Sequence, residues 1–302
     1  MPEILRIKSI TQIHALMGME TAGHPLVSVF THTPEMVQAY SRIKVVADFY
    51  SISLKQGISG AFTYGRSAYD FEDGTLVFTA PDQVVAAPES PEGHSEQEGW
   101  TLIFHPDLIR RHPLGAAIST YSFFDYEVNE ALHVSDKEKG ILLGLIRTIE
   151  DEIRQNMDRH TQTLIVSSIQ LLLNYCARYY DRQFYTRSDL SHDVVIRFQE
   201  MLSGYFQDRD QLELGLPSVK YCAERLHLSP NYLSDLLKKE TGRTAQDHIH
   251  AFVIDRAKTR LLNTNETVSE IAFDLGFDYS QHFSRLFKTR TGMSPTTYRR
   301  NN

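Results

Sequence analysis

One supersecondary unit appears twice within residues 218–300, and this duplication constrains the fold more than any other feature. Equivalent residues lie 49 positions apart before the central turn (Ala223 and Ala272) and 50 apart after it (Gly242 and Gly292). A repeat whose spacing drifts only inside a turn is typical of a duplicated structural unit. The sequence therefore predicts two copies of one element in tandem.

Each copy is predicted to form a helix, a tight turn and a second helix. Thr267 and Glu270 have the spacing of a capping box at a helix start, and Gly276 can take the left-handed conformation that ends this helix. In the first copy His227 stands where Gly276 stands in the second, and histidine adopts a positive φ more often than most residues. Ser229 is the predicted cap of the next helix.

The second helix of each copy has one apolar side and one polar side. Such a helix, held by a preceding helix and carrying amides, hydroxyls and basic groups outside, suits insertion into the major groove of double-stranded DNA. The alternative is an ordinary helical hairpin with a solvated polar face, but two copies in register, joined by an apolar helix at residues 246–262, favour DNA binding. The predicted DNA-contacting residues are Asn231, Ser234, Asp235, Lys238, Lys239, Gln281, His282, Ser284, Arg285 and Lys288.

Several short motifs lie in and around these helices. They are Arg256-Ala257 with Leu261-Leu262, Ile271-Ala272 with Leu275-Gly276-Phe277, Phe283-Ser284-Arg285 with Phe287-Lys288, and Gly292-Met293-Ser294-Pro295 with Tyr298-Arg299. On these residues the sequence resembles the AraC/XylS family of bacterial transcription regulators. The first copy matches less well, since Asp235 stands where the second has Arg285. The resemblance implies a DNA-binding regulator with a cupin-like effector domain, a small-molecule effector, a homodimer and contact with RNA polymerase.

The formal net charge of −7 is unevenly distributed along the chain. From residue 218 onward 13 Lys and Arg stand against 9 Asp and Glu, whereas the remainder has 18 against 29. This asymmetry favours a basic contact region on an acidic body. Cys176 and Cys222 are the only cysteines, and both are predicted to be buried in helices. With no apolar run of membrane-spanning length, the chain is predicted to be soluble, cytoplasmic and without a membrane partner.

Before residue 105 the pattern changes to short strands. Strands are predicted at Val27–Thr31, Thr75–Thr79 and residues 49–54, 61–64, 83–86 and 101–104. Regular spacing of short strands favours an antiparallel barrel or sandwich, so the fold class is α+β multidomain, with an amino-terminal β-barrel, a helical hairpin and an all-α domain. Aromatic residues of these strands could line an apolar ligand pocket or fill the barrel: Phe49, Tyr50, Phe62, Tyr64, Tyr69, Phe71, Phe78, Trp100 and Phe104.

No catalytic constellation is found in the sequence. No Ser/His/Asp spacing, phosphate-binding glycine loop or CxxC pattern occurs. No strand carries histidines two apart, and His94 lies in a polar loop, so no metal and no cofactor are predicted; His248 and His250 fall on a helix and should point to different sides. The leading prediction is therefore a regulator and not an enzyme. The alternatives are a cupin-type enzyme with a DNA-binding tail and a nucleoid-type binder with little sequence preference.

Two amphipathic helices are predicted between the strands and the duplicated region, at residues 137–155 and 161–180. Their apolar positions cover more than one narrow stripe, which leaves a seam for a second subunit, with Leu145 and Leu172 as candidate seam residues. The predicted domains are an effector domain at 1–135, a dimerisation hairpin at 136–188 and a DNA-binding domain at 190–302, with helix-turn-helix units at 218–242 and 267–292. Residues 185–192 and 207–217 are predicted to be polar connectors.

Overall fold

The computed structural model describes residues 4–33, 36, 44–55, 63–64, 67–68, 74–86, 99–127, 130–186 and 188–301. The chain divides into two compact units, Met1–Tyr185 and Thr186–Asn302. The first unit mixes sheet and helix, and the second is helical. In the part of the chain that is described, no helix is long and apolar enough to cross a membrane.

The first unit is built around a five-stranded antiparallel sheet in the order β10, β7, β4, β9, β2. A smaller sheet has the order β1, β3, β8, and a two-stranded ribbon pairs β5 with β6. The strands are β1 Ile4–Ile7, β2 Val27–Thr31, β3 Lys44–Ala47, β4 Tyr50–Lys55, β5 Thr63–Tyr64, β6 Ser67–Ala68, β7 Thr75–Thr79, β8 Val84–Ala86, β9 Gly99–Phe104 and β10 Leu132–His133. The helices of this unit are α1 Ile10–Leu16, α2 Pro106–Ile109, α3 Pro113–Ala117, α4 Asp136–Arg154 and α5 Thr161–Thr186.

The predicted strands at Val27–Thr31 and Thr75–Thr79 are confirmed, and three others shift by one or two residues. The prediction missed β1, β3, β6 and β10. Strand β1 pairs with β3 in parallel, unlike the antiparallel pairing elsewhere among the described strands. The described strands form separate sheets and no closed barrel. Residues 61 and 62 of a predicted strand, and His94, lie outside the described part of the chain.

One face of the five-stranded sheet is apolar and forms the main core of the unit. Ile52, Leu76, Leu102 and Phe104 on this face are completely buried. The ring of Phe104 stacks on Tyr50 at 5.1 Å between centroids. Phe78 packs on Phe123 and Phe124 of the segment after α3, at 4.5 and 5.7 Å. The aromatic residues at Tyr50, Phe78, Trp100 and Phe104 thus fill a core, because strand alternation places all of them on one face. Phe62, Tyr69 and Phe71 lie outside the described residues.

Helices α4 and α5 run in opposite directions, as predicted for a hairpin. Arg182 near the end of α5 forms an ion pair with Glu138 in the first turn of α4, at 2.8 Å. The choice of Leu172 as a seam residue is wrong, since this side chain is completely buried within the unit. Leu145 is half-buried. The exposed leucines of α5 are Leu164 and Leu171, 48% and 46% exposed.

The second unit contains α6 Ser188–Gln207, α7 Gln211–Leu214, α8 Val219–Leu226, α9 Pro230–Thr241, α10 Ala245–Asn263, α11 Val268–Asp274, α12 Ser280–Thr291 and α13 Pro295–Asn301. Two predicted connectors were wrong. Residues 185–192 are helical apart from residue 187, which lies outside the description, and residues 207–217 contain α7. Residues 185–192 hold the end of α5 and the start of α6, and α7 has only four residues. The polar composition of both segments gave no helical signal, because propensity is a weak guide over so few residues.

Both cysteines are buried and free of disulfide bonds, as predicted. Burial raises the pKa of the Cys222 thiol to about 12. These thiols therefore behave as small apolar side chains.

Candidate nucleic-acid interface

The first helix-turn-helix unit consists of α8, a left-handed turn and α9. Ser218 caps α8 by accepting a hydrogen bond from the Tyr221 N–H at 3.1 Å. His227 ends this helix with a φ of 59°, in the left-handed region. This conformation was predicted because His227 is the equivalent of Gly276 in the second copy. Ser229 then caps α9, accepting from the Tyr232 N–H at 3.2 Å, with Pro230 in the first turn. The predictions for His227 and Ser229 are confirmed.

The second unit, α11 and α12, has the same design with tighter packing at its turn. Thr267 and Glu270 form the predicted capping box, with the Thr267 N–H donating to Glu270 at 2.6 Å. Gly276 has φ +90°, and a Cβ at this position would lie 2.8 Å from the carbonyl carbon of Gly215. The segment at Gly215 is itself held in place, because its carbonyl accepts from the Tyr205 hydroxyl at 2.8 Å.

Helices α9 and α12, the second helix of each helix-turn-helix unit, are called the recognition helices, and both end in the same way. Thr241 donates through its hydroxyl to the Leu237 carbonyl at 2.7 Å, and Thr291 donates to the Phe287 carbonyl at 2.8 Å. Gly242 and Gly292 then adopt φ of 76° and 79°. Thr244 caps α10, and Ser294 makes the same kind of bond at α13. The duplication therefore extends beyond the two motifs into the helix that follows each.

The apolar side of each recognition helix is buried and the polar side is accessible. Leu233, Leu237, Phe283 and Phe287 are completely buried. Leu286 is half-buried against the same core. The predicted contact residues divide into two groups: Asn231, Lys238, Gln281, His282, Arg285 and Lys288 are exposed, whereas Ser234, Asp235, Lys239 and Ser284 are half-buried. None of the predicted contact residues is buried.

Helix α10 connects the two units rigidly. It has 19 residues, or about 28 Å at 1.5 Å per residue. Near its start, His248 contacts the Thr241 hydroxyl of the first unit at 2.7 Å. Its later residues Val253, Ala257 and Leu261 share a hydrophobic core with the second unit. His248 and His250 do point to different sides, since His250 contacts Arg290 at 3.2 Å.

Arg290 is a positioning residue that the sequence analysis missed. It stands in the last turn of α12 and donates to the Asp247 carboxylate at the start of α10, at 2.5 Å. This bond, followed by the bond from the Thr244 hydroxyl, lowers the pKa of Asp247 to about 2. The contact fixes the end of the second recognition helix against the connecting helix. The charge pattern gave no signal, because the two residues are 43 positions apart in sequence.

In the second helix-turn-helix unit, the basic and acidic residues lie on different helices. Helix α12 carries Arg285, Lys288 and Arg290 and no acidic residue. The acidic residues Glu270 and Asp274 belong to α11. Arg260 of α10 engages Asp274 and Glu266 in ion pairs. Helix α12 therefore presents exposed cations to which a phosphate backbone could bind.

Two helix-turn-helix units with exposed polar helices on a shared connecting helix define a double helix-turn-helix DNA-binding protein. Comparisons with known proteins agree. The family model "Helix-turn-helix domain" matches residues 222–301. The chain is 29% identical over 193 residues to the HTH-type transcriptional regulator YijO of Escherichia coli strain K12, covering 64% of each protein. It is 34% identical over 128 residues to the transposon Tn10 TetD protein of Escherichia coli, covering 42% of this chain and 83% of that protein.

The chain belongs to the AraC/XylS family of helix-turn-helix transcription regulators. It aligns with only part of several relatives, 64% of YijO and 34% of YobQ from Bacillus subtilis strain 168. Among solved structures it is similar to the C-terminal domain of AraT, a response regulator from Geobacillus stearothermophilus. That likeness is 32% identical, covers 36% of this chain and 85% of that one, and has a TM-score of 0.32.

Among the residues that the structure describes, no group of three His, Cys, Asp or Glu could hold a metal ion.

Proposed function

We propose that this regulator recognises a specific DNA sequence by placing α9 and α12 in two successive major-groove segments on one face of the duplex. The observation that carries the proposal is the repeated exposure of polar helix faces on a shared rigid helix. Successive groove segments on one face are about 34 Å apart. Helix α10, about 28 Å long, together with the radii of the recognition helices spans that distance if the DNA bends slightly.

Each predicted contact residue has a proposed role. Arg285 pairs with the O6 and N7 of a guanine, and Gln281 reaches an adenine or a neighbouring base edge. In the first unit Asn231 and Ser234 contact base edges, and Asp235 accepts from a cytosine amino group or orients a neighbouring side chain. Lys238 and Lys288, further along their helices, contact phosphates, as does Lys239, and His282 and Ser284 lie beside the base-contacting positions of α12.

The test begins with selection of a binding site from random DNA by the full-length protein. Affinity is then measured for the selected site and for all its single-base variants. Arg285→Ala should cost about 1–3 kcal/mol and relax preference at one base pair, because a bidentate guanine contact is lost. Arg299→Ala is the matched control, since this arginine binds the Leu261 carbonyl within the unit. If Arg285→Ala weakens every site variant equally, the groove-facing side has been assigned wrongly.

We further propose that residues 1–135 form a cupin-like effector domain, that residues 136–188 provide dimer contacts and that residues 190–302 form the DNA-binding domain. We propose a small-molecule effector for the domain at residues 1–135 and RNA polymerase as a partner of the protein. Both proposals rest on the family resemblance. The relatives YijO and YobQ bear the names of transcriptional regulators, which supports regulation in place of catalysis. Mapping of bound sites in the native host would reveal which genes are controlled.

The proposed dimer seam is the exposed apolar side of α5. Leu164 and Leu171 are seven residues apart, so two helical turns bring them onto one side. A double Leu164→Glu, Leu171→Glu variant should sediment as a monomer at micromolar concentration, while Leu262→Glu, at an equally exposed leucine of α10, should not change the oligomeric state. A monomeric wild-type protein would rule out the seam.

A further inference from the structure

A polar row runs across the main sheet at one level, through β10, β7, β4 and β9 and the residue that follows β2. Lys55 on the central strand β4 lies opposite Gly99 on β9 and Thr75 on β7. Thr75 lies opposite His133 on β10. On the other side, the His32 N–H donates to the Gly99 carbonyl at 2.9 Å, which places His32 next to Gly99.

This row lies on the face opposite to the apolar core. The neighbours Leu54, Leu76 and Trp100 in the same strands are buried on the apolar face. Because successive residues of a strand point to opposite faces, Lys55, Thr75 and Gly99 face the other way. Ser53 and Thr101 lie on this same face one level further along, and we call these residues together with the row the polar face.

Hydrogen bonds link much of the polar face into a network. His32 Nε2 contacts the Thr101 hydroxyl at 2.7 Å, and that hydroxyl contacts Ser53 Oγ at 2.8 Å. The Thr75 hydroxyl contacts His133 Nδ1 at 3.3 Å. Hydroxyls and imidazoles both donate and accept, so the network can reorient toward a polar ligand.

The absence of a side chain at Gly99 leaves His32 and Lys55, which lie on either side of it, facing the same space. A Cβ there would lie 2.1 Å from the Leu54 carbonyl oxygen and 2.9 Å from His32 Nδ1. No side chain therefore stands between His32 and Lys55. Burial, followed by the charge of Lys55, lowers the pKa of His32 to about 4, so that the imidazole is neutral at neutral pH.

Lys55 is the group that this arrangement leaves unbalanced. It is half-buried, and burial lowers its pKa from the ordinary lysine value. Across the described residues, no hydrogen bond or ion pair engages its ammonium group. A desolvated charge is stabilised when it gains a counter-charge and hydrogen bonds.

Hydrophobic packing on this side of the sheet begins directly beside the polar face. Phe30 lies opposite Thr101, and its ring centroid is 6.5 Å from that of His32. Phe30 and Ile103 join a cluster with Ile10 and Ile13 of α1. His14 of α1 contacts the hydroxyl of Ser28 at 2.8 Å, at the other end of β2 from His32. One end of this sheet face is therefore structural core, and the other end is polar and basic.

We propose that the polar face binds the carboxylate or phosphate group of a small anionic effector, with Lys55 as the ionic contact and His32, Ser53 and Thr101 as hydrogen-bonding contacts. This inference rests on the proposed effector role of the first unit and specifies its ligand class. An oxyanion supplies a counter-charge that Lys55 does not find among the described residues, and it accepts the hydrogen bonds that the hydroxyls and imidazole can donate.

The test uses full-length protein and a fixed set of probes: acetate, citrate, inorganic phosphate and glucose 6-phosphate, with glucose and sodium chloride as controls at matched ionic strength. Thermal unfolding is followed by the fluorescence of Trp100, the single tryptophan, which lies in the same unit. At least one anion should raise the transition temperature saturably while glucose does not. Carboxylates and phosphates are tested separately, and comparing their binding affinities identifies which oxyanion the site prefers.

The matched variants are Lys55→Met, Lys55→Arg and Lys8→Met, the last at an exposed lysine of the same unit. Lys55→Met should weaken anion binding at least about tenfold, the scale of a lost hydrogen bond to a charged group. Lys55→Arg should retain part of the affinity, and Lys8→Met should retain all of it. Affinity should also fall at alkaline pH below the ordinary titration range of lysine, since the pKa of Lys55 is lowered.

Two results overturn the proposal: no probe binds saturably to the wild-type protein, or Lys55→Met binds as the wild type does. DNA affinity is measured on the same samples without and with the anion, and without it Lys55→Met should match the wild type. Lys55-dependent anion binding that leaves DNA affinity unchanged supports the site and counts only against the effector role. The Arg285→Ala experiment tests DNA recognition alone. Its outcome does not bear on whether the polar face binds an anion.

Discussion

The two helix-turn-helix units share their capping and helix-end bonds but differ in the environment of the turn and in the charge of the recognition helix. The first turn is made by an exposed histidine, His227, and the second by Gly276, pressed against Gly215. Helix α9 balances Lys238 and Lys239 with two acidic residues, whereas α12 has three cations and no acidic residue.

This difference shows that a duplicated sequence keeps what the local backbone requires and varies where the surroundings differ. Left-handed turns need a residue that tolerates positive φ, which both histidine and glycine do. Only the second turn also lacks space for a Cβ. The second unit should therefore be the more sensitive of the two to substitution, and it should contribute more to the electrostatic part of DNA affinity.

The largest expected effect is that of Gly276→Ala, which should destabilise the second unit by about 3 kcal/mol through positive-φ strain and backbone overlap combined. Gly292→Ala is the matched control, with φ +79° and no atom within 4 Å of the added Cβ, and it should cost about 1 kcal/mol. Denaturant unfolding is followed by circular dichroism, which detects helix in both compact units, and by the fluorescence of Trp100, which reports residues 1–185 alone. The loss that circular dichroism shows and Trp100 does not is that of residues 186–302. Equal costs at both glycines would contradict the packing argument.

His227→Gly provides the opposite control, because it removes a Cβ from a positive-φ position on the surface. The stability of this variant should stay within about 1 kcal/mol of the wild type, since strain relief and the entropy of the unfolded chain oppose each other. A large loss would mean that the His227 side chain has a stabilising contact.

A smaller effect is expected when the phosphate-contacting lysines are compared. Lys288→Ala should weaken binding to all DNA sequences alike and reduce the slope of log affinity against log salt by about one. Lys238→Ala should have the smaller effect, since neighbouring acidic residues of α9 already offset its field. Affinities measured over a salt series on one DNA site decide this, and a larger slope change for Lys238→Ala would reverse the assignment of the dominant unit.

The smallest expected effect concerns the contact between Arg290 and Asp247. Because the pKa of Asp247 falls from 3.8 to about 2 on folding, its contribution is fully present above pH 4 and is lost as the pH falls through 2. The pair is partly exposed, so about 0.5 kcal/mol is expected. The stability difference between wild type and Asp247→Asn should shrink over this pH window. A constant difference would show that Arg290 does not stabilise the charged carboxylate.

Local sequence signals predicted the helical unit well. The caps at Ser229 and Thr267 and the turns at His227 and Gly276 are confirmed. These features depend on residues three or four positions apart, which a sequence displays directly. The strands were found less completely, because β1, β3 and β10 are short and their pairing partners are distant in sequence.

The sequence by itself determined the duplicated unit, its turns and the amphipathic sides of its recognition helices, because these depend on local backbone preferences and on helical periodicity. Only the tertiary structure decided that Gly276 meets Gly215, that Arg290 holds Asp247, and that His32 and Lys55 flank Gly99 on one sheet face. Those contacts join segments far apart in the chain, and strand register fixes them as much as residue type does. Leu172 illustrates the same limit, since periodicity marked it as apolar but only packing showed that it is buried.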